Sequence, residues 1–141
     1  MGELSVADFK HRTLIQIRFK DIDTLGHVNN ANHITYLELA RIHYFKEVIG
    51  EIDWSANGLI LASININYKK IIHLEDVVFV HTRCNVIGNK SFNLEYIIAD
   101  NHSTIFATAS SVLVSYSYKE DKTIEIPAEW KDKLTKYDGI A

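Results

Sequence analysis

Residues 32–49 read NHITYLELARIHYFKEVI, and the fold turns on how this stretch is read. Ile34, Leu37, Arg41, Tyr44, Phe45 and Val48 recur by threes and fours, the spacing of one face of an α-helix. Asn32 suits the N-cap and Gly50 the position just past the C-terminus, so the spacing predicts a helix over 32–49. Tyr36, Leu39, Ala40 and Ile42 put apolar groups on its other faces. Such a helix is expected to be enclosed on most sides rather than to lie on a surface.

On the N-terminal side, residues 13–20 alternate, with Ile15, Ile17 and Phe19 opposite Gln16, Arg18 and Lys20, which predicts a strand with one buried face. On the C-terminal side, a loop containing Asp53, Ser55, Asn57 and Gly58 leads into a long alternating run over 60–69. Runs over 77–87 and 92–99 flank Gly88-Asn89-Lys90 as a hairpin flanks its turn. Asp100 to Ser103 turns the chain again into a strand over 104–118, and Pro127 opens a short helix, AEWKDKL. Repeats, linkers and low-complexity tracts are absent from the sequence.

The order is strand, long helix, then four strands joined mostly by tight turns, which implies antiparallel pairing. One curved sheet has one face to bury, and this helix is the only large element available to cover it. The expectation is an α+β domain spanning 1–141: an antiparallel five-stranded sheet wrapped around one long central helix. Uncovered sheet edges and helix surface point to a homodimer or homotetramer.

Composition narrows the function classes. With 141 residues, 47% hydrophobic and 23% charged, the chain has enough material for a core and too little polarity for disorder. A net charge of -3 argues against a nucleic-acid surface. Cys84 is the single cysteine, which excludes an intrachain disulfide and suits a reducing cytoplasm. Apolar runs fall short of the ~20 residues needed to cross a bilayer, and MGELSVADFK lacks the apolar character of a signal peptide. Val6 stands where a myristoylation signal requires Ser or Thr. The expectation is a cytoplasmic protein without a membrane or nucleic-acid partner.

Between the first strand and the helix lies DIDTLGHVNN, Asp21 to Asn30. A helix N-terminus offers unpaired N–H groups and partial positive charge, suited to a developing oxyanion. A carboxylate beside it can serve as nucleophile or general base. Gly26 lets the chain turn sharply and a substrate approach the backbone. Together these residues suit acyl transfer or hydrolysis. Spacing alone leaves a structural reading open: an Asp before a helix is a cap, His27 is a hydrogen-bonded loop residue, and Asn29 and Asn30 satisfy loop backbone.

DIDTLGHVNN followed by YLELAR resembles the signature of the 4-hydroxybenzoyl-CoA thioesterase family of hotdog-fold acyl-CoA thioesterases, roughly Asp-x-Asp-x-x-Gly-His-Val-Asn-Asn and then Glu-x-Ala-Arg. Asn67–Lys70 (NYKK), Asp76–Val80 (DVVFV) and Gly88–Phe92 (GNKSF) resemble later family segments in order. The resemblance implies a hotdog fold and hydrolysis of an acyl-CoA. It implies Asp23 as the acting carboxylate, by anhydride formation or by activating water, and a backbone N–H near Asn30 polarising the thioester carbonyl. Gly26 and His27 belong to the same motif; Asp21 is a second choice. Glu38 is a further candidate, because some related hotdog enzymes use a helix glutamate. It also lies three residues before Arg41 and is placed to pair with it.

Coenzyme A enters only as part of the substrate, and no cofactor is expected. Its phosphates want basic side chains near a pocket mouth: Lys90 with Ser91 in the Gly88 turn, or Lys69 and Lys70. The family often has a proline after its TyrLys pair, where this chain has Ile71-Ile72-His73. His33 and His43 do not make metal-ligand spacing with His27, so no metal is expected. Two other readings stay open. A hydratase or dehydratase on acyl thioesters uses different His and acid motifs, and neither occurs here. A non-catalytic acyl-thioester binder gains nothing from an ionised carboxylate beside the carbonyl. The acyl group, and coenzyme A against acyl carrier protein, are not encoded in any motif.

Overall fold

The structure, a computed structural model, describes residues 4–102 and 104–140. The first two residues, Met1 and Gly2, and Ser103 of the expected Asp100–Ser103 turn lie outside them. The long helix, α1, is Asn30–Val48, and the other main elements are β1 His11–Ile15, β2 Gly58–Tyr68, β3 Val78–Ile87, β4 Ser91–Ala99, β5 Ile105–Ser117, β6 Lys122–Thr123 and α2 Ala128–Asp138. All strand pairs are antiparallel and the order is β1-β3-β4-β5-β2, with the two-residue β6 paired to the end of β5. The sheet curls around α1 as a hotdog does around its filling. Leu37, Ala40, Tyr44 and Phe45 of α1 meet Val78, Val80, Phe92, Leu94, Tyr96 and Leu113 of the sheet in one core.

Several boundaries differ from the sequence expectation, each for a physical reason. The first strand ends at Ile15, and Phe19 is 82% exposed rather than buried. A 3-10 turn over Phe19–Asp21 ends the extended run because the Asp21 carboxylate takes the Arg18 N–H at 3.1 Å. Helix α1 starts two residues earlier than expected, at Asn30. Asn29, not Asn32, is the N-cap: its side chain accepts the Ala31 N–H at 2.9 Å. Gly50 does take the left-handed conformation, at φ 98°, and ends the helix.

Nor is α1 enclosed on most sides within one chain. Ile34, Leu39 and Ile42 are exposed, Ile42 by 53%, and form an open apolar strip. Glu38 and Arg41 do not pair. Arg41 turns inward and donates to the Tyr96 hydroxyl at 3.4 Å, while Glu38 stays on the open face.

The helix after Pro127 runs further than the AEWKDKL stretch, to Asp138, and caps on Gly139 at φ 67°. It buries Trp130 and Leu134 and brings the Asp138 carboxylate to the Tyr44 hydroxyl and, at 2.9 Å, to the Cys84 N–H. That N–H is free to turn toward Asp138 because β3 and β4 shift register between Cys84 and Val86. Among the described residues no helix is long and apolar enough to cross a membrane.

Candidate active site

The segment joining β1 to α1 is tied down at Asp21, which is 1% exposed. One carboxylate oxygen accepts the Arg18 N–H and, at 2.8 Å, the Tyr36 hydroxyl; the other faces the Arg18 guanidinium at 3.4 Å. Its carbonyl accepts the Asn29 N–H and the Asn32 side-chain amide, both at 3.0 Å. Burial pushes the Asp21 carboxyl up. The Arg18 N–H, the Tyr36 hydroxyl and the Arg18 guanidinium outweigh it and hold the group below the usual carboxylate range. Asp21 is therefore the knot that fixes the loop to the first turns of α1.

Beyond the knot the loop closes on itself. The Asp23 N–H donates to the His27 carbonyl and the Gly26 N–H to the Asp23 carbonyl, each at 3.0 Å, with Gly26 at φ 87°. Only a residue without Cβ adopts that conformation cheaply. Ile22 bridges Val28, and the Val28 N–H reaches the Ile72 carbonyl at 2.8 Å, stitching the loop to the segment after β2. One oxygen of half-buried Asp23 accepts the Leu25 N–H at 2.9 Å. Its other oxygen has no hydrogen-bond partner among the described residues.

The start of α1 has a matching gap in its hydrogen bonding. The Ala31 N–H goes to the Asn29 side chain and the Asn32 N–H to the Asn29 carbonyl at 2.9 Å. The Asn30 N–H finds no acceptor among the described residues. It lies at the positive end of a 19-residue helix. A free donor there and a carboxylate oxygen with spare capacity lie on one ordered loop, which suits attack on a carbonyl whose oxygen gains charge.

A groove of about 620 Å³ opens at this helix start, lined by His27, Asn30, His33, Tyr68, Lys69 and Lys70 among others. The Tyr68 hydroxyl donates to the Asn30 carbonyl at 3.0 Å. The N–H groups of Lys69 and Lys70 both donate to the Phe106 carbonyl, at 2.7 and 3.0 Å, which hooks the end of β2 beside the loop. Asp23 sits in the loop that carries His27, not among the groove-lining residues.

The structure thus brings Asp23, Gly26, His27, Asn30, Lys69 and Lys70 into one neighbourhood. It does not bring Lys90 and Ser91 there within one chain. Ser91 pairs with Val114 on β5, whereas Lys69 and Lys70 bond to Phe106. Eight residues of strand, about 26 Å, lie between. Glu38 is also apart, eight residues or about 12 Å along α1 from Asn30. It lines a second cavity of about 310 Å³ with Arg41, Trp54, Leu59 and Leu61.

Two groove residues lie outside the DIDTLGHVNN motif. Tyr68 reaches the helix start only because β2 ends there. His33 enters the sequence reading only as an excluded metal ligand, yet it is 2% exposed and stacks beside Tyr36, three residues on. That i, i+3 spacing is the available clue.

Comparison with known proteins gives consistent results. Residues 17–134 match the model of a family described as the Thioesterase-like superfamily. The chain is 28% identical over 127 residues to the long-chain acyl-CoA thioesterase FadM of Escherichia coli (strain K12), covering 87% of this chain and 96% of FadM. A crystal structure of a thioesterase from Thermus thermophilus, complexed with coenzyme A and Zn, superposes with a TM-score of 0.82 at 32% identity, covering 95% of this chain and 98% of that one. The PA5185 protein of Pseudomonas aeruginosa PAO1, 22% identical with a TM-score of 0.84 and 93% of each chain covered, shares the fold.

Proposed function

The chain belongs to the Thioesterase-like superfamily and is a thioester hydrolase, and we propose that its substrate is an acyl-CoA, split into the free acid and coenzyme A at the start of α1. In this reading the Asn30 N–H receives the carbonyl oxygen and Asp23 supplies the acting carboxylate, as nucleophile or as base for water. Gly26 and His27 shape the turn that carries it. The observation that carries the assignment is the pairing of an unused Asn30 N–H with an Asp23 oxygen that has no partner among the described residues. Asp21, buried and fully engaged, holds the loop in place instead.

Lys69 and Lys70 are the basic side chains that line the groove, and we assign them the phosphates of coenzyme A. Lys90 and Ser91 serve that role only from a second copy of the chain. A homodimer or homotetramer is favoured by the exposed strip of Ile34, Leu39 and Ile42 and by the exposed Ile60 and Leu61 of edge strand β2. The single cysteine is compatible with work in the reducing cytoplasm.

The test is thiol release from short, medium, long and aromatic acyl-CoAs by the wild type and by Asp23→Asn in parallel. Release by the wild type, with at least a 100-fold loss in a folded Asp23→Asn variant, is expected. Full activity in that variant sinks the role of Asp23. Release only from acyl carrier protein thioesters moves the substrate to that class.

A further inference from the structure

His33 lies in the first turn of α1, and its ring is held on two sides. It meets the Tyr68 ring edge-on, with centroids 4.9 Å apart, and the Tyr36 ring at 6.2 Å. Its Nδ1 is fully buried and makes no hydrogen bond to the described residues; the ring lies against the carbonyls of Asn29 and Asn30, one turn back. Nε2 makes no bond to the described residues either, but it is not among the fully buried atoms. His33 itself is one of the residues that line the groove.

Burial opposes a charge on this ring and lowers its pKa, against a smaller raising effect of the two carbonyls. A neutral imidazole with its proton on Nδ1 presents a lone pair at Nε2. A buried base with an open acceptor at the helix start is suited to handling the proton of a bound water.

We propose that His33 Nε2 accepts the hydrogen bond, and then the proton, of the water that completes hydrolysis in this groove. The inference rests on the thioester-hydrolase reading, and it assigns Asp23 the nucleophilic role. An Asp23 oxygen adds to the thioester carbonyl, the C–S bond breaks with its electron pair on sulfur, and the thiolate takes a proton from solvent. Water then adds to the acyl carbonyl of the resulting anhydride while its proton passes to His33. The anhydride C–O bond breaks, its electron pair restores the Asp23 carboxylate, and the imidazolium returns its proton to solvent.

The titratable groups that face His33 are Tyr36 and Tyr68 against its ring, His27, Lys69, Lys70 and His73 around the groove, and Asp21 behind Tyr36. Burial outweighs the two carbonyls, so the ring stays neutral at and above neutral pH.

The experiment is rapid-mixing thiol release by the wild type, His33→Asn and Asp23→Asn, with turnover followed across pH. Asparagine keeps a polar group where Nδ1 lies and removes the outer acceptor; His33→Phe, which keeps a ring between the two tyrosines, serves if the first variant unfolds. His33→Asn should release about one thiol per subunit in a burst and then turn over about 100-fold more slowly than the wild type. It should also lose the acid-side fall in turnover expected of the wild type below the ordinary histidine range. Asp23→Asn should show no burst. Linear release by the His33 variant, at any rate, overturns the assignment. If the wild type hydrolyses no acyl thioester, the thioesterase reading falls as well; if it does and only the burst is missing, His33 alone falls.

Discussion

Asp21 and Tyr36 stand fifteen residues apart in the chain and meet in a buried 2.8 Å hydrogen bond. That bond holds the loop bearing Asp23 against the helix whose first N–H has no acceptor among the described residues. It also separates the duties of two acids that differ by only two positions.

Removing the Asp21 charge should therefore act on stability first. Asp21→Asn leaves the Arg18 N–H, the Arg18 guanidinium and the Tyr36 hydroxyl with a weaker or missing acceptor, at a cost of about 2–4 kcal/mol. Because the folded carboxyl is held below its unfolded value, its contribution is present above the ordinary Asp range and lost as pH falls through the folded pKa. Denaturant titrations of wild type and variant from pH 7 to pH 3 should converge at the acid end; parallel curves contradict the assignment.

Gly26→Ala tests the turn that carries Asp23. An added Cβ meets nothing within 4 Å, so space is not the issue; the φ of 87° is. The strain is worth about 1–2 kcal/mol. Turnover is expected to fall by more than KM rises, since the acting carboxylate moves while the groove stays. A variant with wild-type turnover and unchanged melting would show that the turn does not position the site.

Lys69→Ala and Lys70→Ala should each raise KM for an acyl-CoA about tenfold, with turnover little changed, if their ammonium groups hold phosphate. The effect should shrink at high salt. Lys90 lies at the far end of β5, so Lys90→Ala should weaken binding only in an assembly of two or more chains. Isothermal titration with coenzyme A, beside the sedimentation behaviour of each variant, separates these cases.

Asp138 should give the opposite pH dependence to Asp21. Burial raises its pKa despite the Tyr44 hydroxyl and the Cys84 N–H, so its stabilising effect is present below the ordinary carboxylate range and lost as pH rises through the raised value. Asp138→Asn should flatten that trend and keep α2 docked. Hydrogen exchange at the Cys84 N–H, read across pH in both proteins, is the measurement. Protection that does not weaken with rising pH in the wild type contradicts it.

Much of this protein was legible in the order of its residues. Threes and fours over 32–49 and alternation in the later strands are local properties of a backbone with periods of 3.6 and 2. They sufficed for a sheet wrapped around one helix. The motif DIDTLGHVNN pointed to the loop that runs into the start of α1, with Asp23 on it and Asn30 at its end, because a helix start and a glycine turn are written locally. The extent of the first strand was not legible. Ile17 and Phe19 alternate correctly, but the Asp21 carboxylate captures the Arg18 N–H and turns the chain.

What only the tertiary structure decided concerns partners distant in sequence. Spacing cannot tell Asp21 from Asp23; the Tyr36 hydroxyl, delivered by the second turn of α1, makes one a buried knot, while the other keeps an oxygen without a partner among the described residues. Lys69 and Lys70 reach the loop because the end of β2 is hooked to Phe106 of β5, and Lys90 does not because its turn lies at the other end of β5. His33 became a groove residue only when Tyr36 and Tyr68 closed around it. Periodicity records which side of an element meets the core. Which polar groups then meet one another depends on how the elements cross, and that is set by packing.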